Sequence, residues 1–305
     1  MTGTPHAAVP GGEARLVPTP SDGPFAVGGH TDGRGARMAG KAVLVTGAGS
    51  AGELPGTGAA TAMLLAAQGA TVGILDVDAA RAAHTRGLVE EVGGRAVALV
   101  ADITAEDAAR GAVDDFAGRV GRLDAVVNNA GISGEGGIAA TTRAGWDRVF
   151  ALNVTAAMQV ARAAHPHLVA AGGGSVVNVS SVAALRGFGS GAYGASKGAL
   201  QSMTVDLAYS WGRDGIRVNC LVPGHLHTPI GDHGGEEGRR LRSAANMLGI
   251  EGNAWDLAWA VLFLAGTESR WVTGTVIPVD AGTTAATVLG MLPYMAEARR
   301  EDADR

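Results

Sequence analysis

From Lys41 onward the chain alternates short, nearly continuous apolar runs with Ala-rich stretches of helical length, and few folds accept that pattern. KAVLVTG, TVGILD, RAVALVAD, LDAVVNNAG, SVVNVSS, IRVNCLVPG and TVIPVD read as strands. Thr57 to Gln68, Asp78 to Val92, Ala105 to Val120, Trp146 to Ala170, Tyr193 to Trp211 and Ala254 to Leu264 read as the helices between them. Strands apolar on both sides are covered on both faces, and strands separated by helices run parallel. The expected fold is an α/β, doubly wound parallel sheet in three α/β/α layers. At 305 residues it is expected to form a single domain, a size that such sheets reach.

The expected domain spans 39–284. Residues 1–38 are rich in Gly, Pro, Thr and His without hydrophobic periodicity and read as a flexible leader, with Met38 an alternative start. His225 to Arg242 breaks the rhythm with Gly, His and charge, so 225–248 is expected to be a substrate loop or lid. Residues 285–305 read as a C-terminal extension with a charged tail. A net charge of −5 gives no footprint for nucleic acid or an anionic membrane, and no apolar run is long enough to span a bilayer. The single cysteine, Cys220, sits in an apolar run; it permits no internal disulfide and points weakly to the cytoplasm.

Chemistry concentrates in SVAALRGFGSGAYGASK, where Ser181 precedes a Tyr193-x-x-x-Lys197 pair by twelve residues. Positions four apart share a helix face, and an ammonium beside a phenol favours the phenolate, drawing its pKa down from about 10. Tyr193 is thus expected to transfer protons with Lys197 as its tuner, while Ser181 holds a carbonyl or alcohol oxygen. Alone, such a pair is usually an exposed helix contact.

The first strand runs into a Gly-rich turn containing Gly47, Ser50, Gly56, Thr57 and Gly58, just ahead of the first helix. Glycines there let the backbone approach a pyrophosphate, and the helix N-terminus offers free N–H groups. Asp76 ends the second strand close to 20 residues on, where a carboxylate binds ribose hydroxyls and repels a 2′-phosphate. NAD is favoured over NADP. The competing reading makes Asp76 or Asp78 a cap for the following helix.

These motifs, together with Asp102, Asn128-Asn129-Ala130-Gly131, Asn153, Pro223-Gly224, Thr228 and Val272-Thr273-Gly274, occur in an order that resembles the short-chain dehydrogenase/reductase family from Lys41 to Gly282. The resemblance implies a Rossmann-type sheet with Asp102 and Ile103 beside the adenine, and Asn129, Ala130 and Gly131 at the cofactor. It also implies Tyr193 and Lys197 on the nicotinamide ribose, Thr228 at the carboxamide, and Pro223 and Gly224 among the cofactor-binding residues. It assigns a catalytic group of Asn153, Ser181, Tyr193 and Lys197, with Asn153 positioning a water beside Lys197. Duller roles stay open: Asn128 and Asn129 satisfying backbone groups, and Asn153 kinking its helix.

Two departures stand out. Ala51 to Pro55 lengthen the Gly-rich turn, as in a subgroup with an Ala-Trp-Asp segment like Ala254-Trp255-Asp256, and the serine-to-tyrosine spacing is one residue short, so Ser180 competes with Ser181. The expected activity is NAD-dependent interconversion of a secondary alcohol and a ketone. The alternatives are an NADPH-dependent reductase of a 3-oxoacyl or cyclic ketone, and a non-catalytic dinucleotide-binding regulator. His225, His227 and His233 lack the partners of a known zinc geometry, so no metal is expected. Ile132 to Ile138, Ala183 to Gly191 and the lid, with Phe188 and Met247, suggest a moderately apolar alcohol or ketone substrate such as a cyclic or terpenoid alcohol, with a sugar as the alternative. Family members commonly form tetramers, so a homotetramer or homodimer is expected, with Val276 to Val279 and Ala285 to Leu292 as candidate surface.

Overall fold

A computed structural model describes residues 36–52, 54–231 and 234–303. Among them, seven parallel strands form one sheet in the order β3-β2-β1-β4-β5-β6-β9. These are β1 (Ala42–Thr46), β2 (Thr71–Asp76), β3 (Arg95–Val100), β4 (Ala125–Asn128), β5 (Gly174–Val179), β6 (Ile216–Pro223) and β9 (Val276–Val279). A two-residue ladder pairs β7 (Leu226–His227) with β8 (Gly252–Asn253) beside the sheet.

Alternation along each strand divides the core into two layers. Val43, Val45, Val72, Ile74 and Val127 face one cluster, which is closed by α1 (Thr57–Ala67), α2 (Ala79–Glu91) and α8 (Ala254–Ala265). Ala42, Leu44, Leu75, Val126 and Val176 face the other, closed by α3 (Glu106–Val120), α5 (Ala157–Ala170) and α6 (Ala192–Trp211). In α3 the buried Ala109, Ala112, Val113, Phe116 and Ala117 follow the spacing of one helix face. Both faces of the central strands are dry, as their apolar runs require.

The elements lie close to their expected places, with three differences. The long helix expected from Trp146 divides into α4 (Arg143–Phe150), a π-helical turn over Ala151–Ala156, and α5. The expected loop at 225–248 contains a helix, α7 (Gly235–Ala244), and the charged tail belongs to α9 (Val288–Ala303), since polar sequence on an exposed helix carries no strong apolar period. Met38, placed at the end of the leader, is buried in the core and donates its N–H to the Gln68 carbonyl. The rest of the leader, residues 1–35, lies outside the described residues, and no described helix is long and apolar enough to cross a membrane.

Asp124 fixes the near ends of β1 and β4. Its carboxylate accepts from the Ala42 N–H at 2.9 Å, Lys41 Nζ at 2.9 Å and Arg122 through two bonds of 2.7 Å. Burial pushes its pKa up, but the bonds to Arg122, Ala42 and Lys41 together hold it below the usual 3.8. Asp124→Ala should destabilise the fold by about 2 kcal/mol, because it strands a buried N–H and two cations that keep some contact with water. Urea unfolding of wild type and variant at pH 7 measures the difference.

Candidate active site

The order of strands reverses between β1 and β4, and a cleft opens at the carboxyl ends of the strands on that line. Its first part is a cavity of about 660 Å³ that contains Gly47, Ser50, Gly56, Thr57 and Gly58 from the turn after β1. A Cβ on Gly58 would stand 2.2 Å from the Gly47 carbonyl oxygen and 2.5 Å from Asn129 Nδ2, so only glycine lets the helix start this close to the turn. The first turn of α1 holds no acidic side chain, and Gly56 offers no side-chain cap. Ser50 Oγ is buried there with no hydrogen-bond partner among the described residues. A pyrophosphate fits these donors. Glu53, within the lengthened part of the turn, lies outside the described residues.

Asp76 stands in the same cavity at the end of β2, where Oδ2 accepts from the Gly49 N–H at 2.9 Å and Oδ1 from the Asp78 N–H at 3.1 Å. The capping role belongs to Asp78, which accepts from the N–H groups of Ala80 and Arg81 at 2.9 and 3.1 Å. Arg81 also lines this wall, with Nε 3.5 Å from Asp78 Oδ2. No motif marks it in the sequence, although it stands in the first turn of α2, five residues after Asp76. Asp102 and Ile103 form the next wall; the side-chain and backbone bonds from Thr104 hold the Asp102 carboxyl below its ordinary range, while Ile103 is buried.

Asn129, Ala130 and Gly131 continue the cleft beyond β4. Asn129 Nδ2 donates to the carbonyls of Thr46 and Gly47, both at 3.0 Å, and Oδ1 accepts from Thr57 Oγ1 at 2.7 Å. Its amide therefore ties the end of β4 to both ends of the Gly-rich turn. Asn128 lies behind it, bonded to the Ala157 carbonyl and to Asn178, so both asparagines do satisfy backbone groups.

A second cavity of about 570 Å³ shares Thr57, Asn129, Gly131 and Thr228 with the first, which makes one continuous cleft. Ser181, Tyr193, Lys197, Pro223 and Gly224 line it. Tyr193 and Lys197 stand one turn apart on α6, with Lys197 Nζ 5.8 Å from the centre of the Tyr193 ring and donating to the Val179 carbonyl at 2.8 Å. Ser181 lines the cavity with Tyr193, and its Oγ accepts from the Ala183 N–H at 3.2 Å. Ser180 is committed elsewhere: its Oγ donates to the Lys197 carbonyl at 2.8 Å and accepts from Gln201 at 3.1 Å. Of the two serines, the geometry favours Ser181.

Burial lowers the Lys197 pKa from 10.5 to about 8, opposed weakly by the neighbouring Cys220, whose own thiol burial pushes up to about 11. Tyr193 departs from expectation. Burial raises its pKa above 10, and the Ser181 hydroxyl only partly opposes this, because desolvation of the phenolate outweighs it.

Asn153 sits in the π-helical turn, a distortion common at functional sites. Its Oδ1 accepts from the Ile132 N–H at 2.9 Å, and Nδ2 donates to the Ile132 carbonyl and Ser196 Oγ, both at 3.0 Å. A Cβ on Gly131 would stand 3.2 Å from both Asn153 Oδ1 and Lys197 Nζ, so glycine keeps the space between them open. Thr228 is buried, its Oγ1 accepting from the Gly231 N–H at 3.3 Å.

His225 lines the substrate end, its ring 5.4 Å from that of Phe188 and its pKa lowered first by burial and then by Arg242. Arg242, on α7, reaches the same cavity and carries no motif that would reveal it in sequence. Met247 and Ile138, expected near substrate, are exposed and lie outside this cavity. His233 lies outside the described residues, and among the described residues no cluster of three His, Cys, Asp or Glu side chains is placed to hold a metal.

A family model described as enoyl-(acyl carrier protein) reductase matches residues 51–284. A (2S)-((R)-hydroxy(phenyl)methyl)succinyl-CoA dehydrogenase subunit from Thauera aromatica is 36% identical over 79% of this chain and 96% of its own. A 3-oxoacyl-(acyl-carrier-protein) reductase from Thermotoga maritima is 34% identical over 81% of this chain and 98% of its own. In structure, the chain is similar to a short-chain dehydrogenase/reductase from Burkholderia xenovorans, with a TM-score of 0.77 and 38% identity over 82% of this chain and 99% of that one.

The buried ammonium of Lys197 makes stability depend on pH. Its folded pKa of about 8 lies below 10.5, so between these values the unfolded chain binds the extra proton and stability rises with pH. Relative to Lys197→Met, the wild type should gain about 2 kcal/mol between pH 7 and pH 9.5. Paired urea denaturation curves at the two pH values test this.

Proposed function

The chain belongs to the short-chain dehydrogenase/reductase family, and from that premise we propose that it interconverts a secondary alcohol and a ketone with NAD, using Tyr193 as the acid/base group. The family membership carries the coarser statement without further argument: the chain is an oxidoreductase of hydroxyl and carbonyl groups that takes a nicotinamide dinucleotide. The finer reading rests on one observation. Ser181, Tyr193 and Lys197 share a cavity that runs directly into the cleft ending on Asp76.

The dinucleotide would lie with its pyrophosphate against Gly47, Ser50, Gly56, Thr57 and Gly58, its adenosine between Asp76, Asp102 and Ile103, and its nicotinamide end near Gly131, Pro223, Gly224 and Thr228. When bound, the oxidised nicotinamide accepts two electrons and a hydrogen nucleus from the carbinol carbon and adds positive charge beside Tyr193. Tyr193 takes the hydroxyl proton. Ser181 holds the substrate oxygen against it, and Lys197, cationic below about pH 8, together with the charge of the oxidised nicotinamide would offset the burial that opposes the phenolate. Asn153, its amide committed to Ile132 and Ser196, positions the wall of the space between Gly131 and Lys197 through which a relay water would carry the proton outward.

NAD is preferred because the Asp76 carboxylate would meet the ribose hydroxyls and repel a 2′-phosphate. Arg81 in the same cavity favours a second reading, an NADPH-dependent carbonyl reductase in which the guanidinium binds that phosphate. The exposed Val288, Leu289 and Leu292 on α9 support assembly as a homodimer or homotetramer, which light scattering measures.

Turnover of a secondary-alcohol panel should give a higher kcat/KM with NAD than with NADP; the reverse order would replace the NAD reading with the Arg81 reading. Tyr193→Phe should lower kcat by about 10²- to 10⁴-fold while the NAD dissociation constant stays within about threefold. Near-normal turnover in that variant removes Tyr193 from the mechanism.

A further inference from the structure

Between Ser181 and Tyr193 the chain crosses the substrate end of the cleft as Arg186-Gly187-Phe188-Gly189-Ser190-Gly191. Phe188, Gly189 and Ser190 line the cavity of about 570 Å³, and the Phe188 side chain is 60% exposed. Little within the segment holds it still. Among the described residues the N–H groups of Gly187, Phe188, Gly189 and Ser190 donate to no backbone carbonyl, and a Cβ on Gly187 or Gly189 would meet open space.

Both ends, in contrast, are fixed. Arg186 Nη1 donates to the Leu185 carbonyl at 2.9 Å, and Nη2 donates to the carbonyl of the buried Thr284. Thr284 is held in turn by Asp280, whose Oδ2 accepts from its N–H at 2.8 Å and from its Oγ1 at 2.6 Å. At the other end Gly191 is wedged, since a Cβ there would stand 2.6 Å from Thr141 Oγ1 and 2.7 Å from the Gly136 carbonyl oxygen. The residues between these anchors form a short flap that carries Phe188.

The corner that receives Arg186 also sets the facing loop. The Gly224 N–H donates to the Val279 carbonyl at 2.9 Å, and a Cβ on Gly224 would stand 2.8 Å from Asp280 Cα. His225 follows directly, and its ring lies 5.4 Å from that of Phe188 with a tilt of 31°. Two rings from separate loops thus meet in one cavity, both referred to the segment after β9. The same cavity is apolar at Ile132, Val182, Leu226 and Ile230. A phenyl ring left largely in water beside such a wall gains by covering another ring, because flat faces share area and a ring brings few rotors to freeze.

We propose that Phe188 is a specificity-determining residue whose flap closes over the ring of a cyclic or aryl secondary alcohol, with Arg186 the positioning residue that holds the flap to Thr284. For turnover the proposal rests on the dehydrogenase reading, whereas ring binding under the flap does not. A chain of equal carbon number offers similar apolar area but loses internal rotation on binding, so the flap selects shape rather than hydrophobicity.

The test pairs alcohols of equal carbon number, cyclohexanol with 2-hexanol and 1-phenylethanol with 2-octanol. Each is assayed with NAD and with NADP in wild type, Phe188→Ala, Arg186→Gln and Arg186→Lys. At least one ring alcohol should exceed its chain partner in kcat/KM by about tenfold, mainly through KM. That ratio should fall below about threefold in Phe188→Ala and Arg186→Gln, and Arg186→Lys, which keeps a donor for the Thr284 carbonyl, should restore it. Chymotrypsin cutting at Phe188–Gly189, identified by mass spectrometry, reads the flap without turnover. The cut should be about tenfold faster in Arg186→Gln than in wild type, and with dinucleotide present 1-phenylethanol should slow it in wild type by about tenfold where 2-octanol does not. Chain alcohols used as well as ring alcohols, a ring preference that survives Phe188→Ala, or an Arg186→Gln protein that keeps both the preference and the wild-type cutting rate overturns the proposal and leaves the dehydrogenase reading intact. If no secondary alcohol is oxidised with either dinucleotide, that reading fails, and protection of Phe188–Gly189 by 1-phenylethanol over 2-octanol alone decides for or against the flap.

Discussion

The reversal of strand order between β1 and β4 is the constraint on which the rest of the molecule depends. The chain leaves β1 toward α1 on one face and leaves β4 toward α4 and α5 on the other, so no helix covers the strand ends between them. The two strands are themselves hydrogen-bonded, so it is only the loops beyond their carboxyl ends that diverge. The Asn129 amide ties them together with three hydrogen bonds, to Thr46, Gly47 and Thr57, at the point where the Gly-rich turn most needs a fixed shape. Asp124 does the same work at the opposite ends of the two strands.

A second tension runs through the site. Lys197 is nearly inaccessible, at 3% exposure, and burial alone takes its pKa down toward neutrality. The same burial that brings the lysine into a useful range drives Tyr193 the other way. The two shifts have one cause acting on groups of opposite charge type, since a dry environment favours the neutral amine and the neutral phenol alike. Ser181 is the one neighbour that weighs the other way at Tyr193.

Much of this was legible in the sequence. Alternating apolar runs are a direct imprint of two-faced burial, so strand identity, helix identity and the carboxyl-end position of the cleft followed from residue type alone. Tyr193, Lys197, Ser181 and Asp76 stood out because their spacing is tied to one helix face or one strand end. Arg81 and Arg242 did not, because a guanidinium on an exposed helix looks the same whether it points to water or into a cavity formed by distant chain. The π turn at Asn153 and the helix within 225–248 were also hidden: the first depends on a tertiary bond to Ile132, and the second on a polar segment without apolar period. Direction of a pKa shift was the least readable quantity, since burial at Tyr193 is a property of the packed fold.

Cys220 gives the molecule a property unrelated to its chemistry. Its thiol lies on β6, between β5 and the edge strand β9, fully buried, with a pKa pushed to about 11. Thiolate is scarce there and no reagent can approach, so modification requires that α6, which carries Lys197 and Thr204 against the thiol, lift from that face of β6. Since it is the chain's only cysteine, every alkylation event counts a transient lifting of that helix from the sheet. The protein thus carries a natural clock for the rate at which its interior opens, placed one side chain away from the lysine whose burial the site requires.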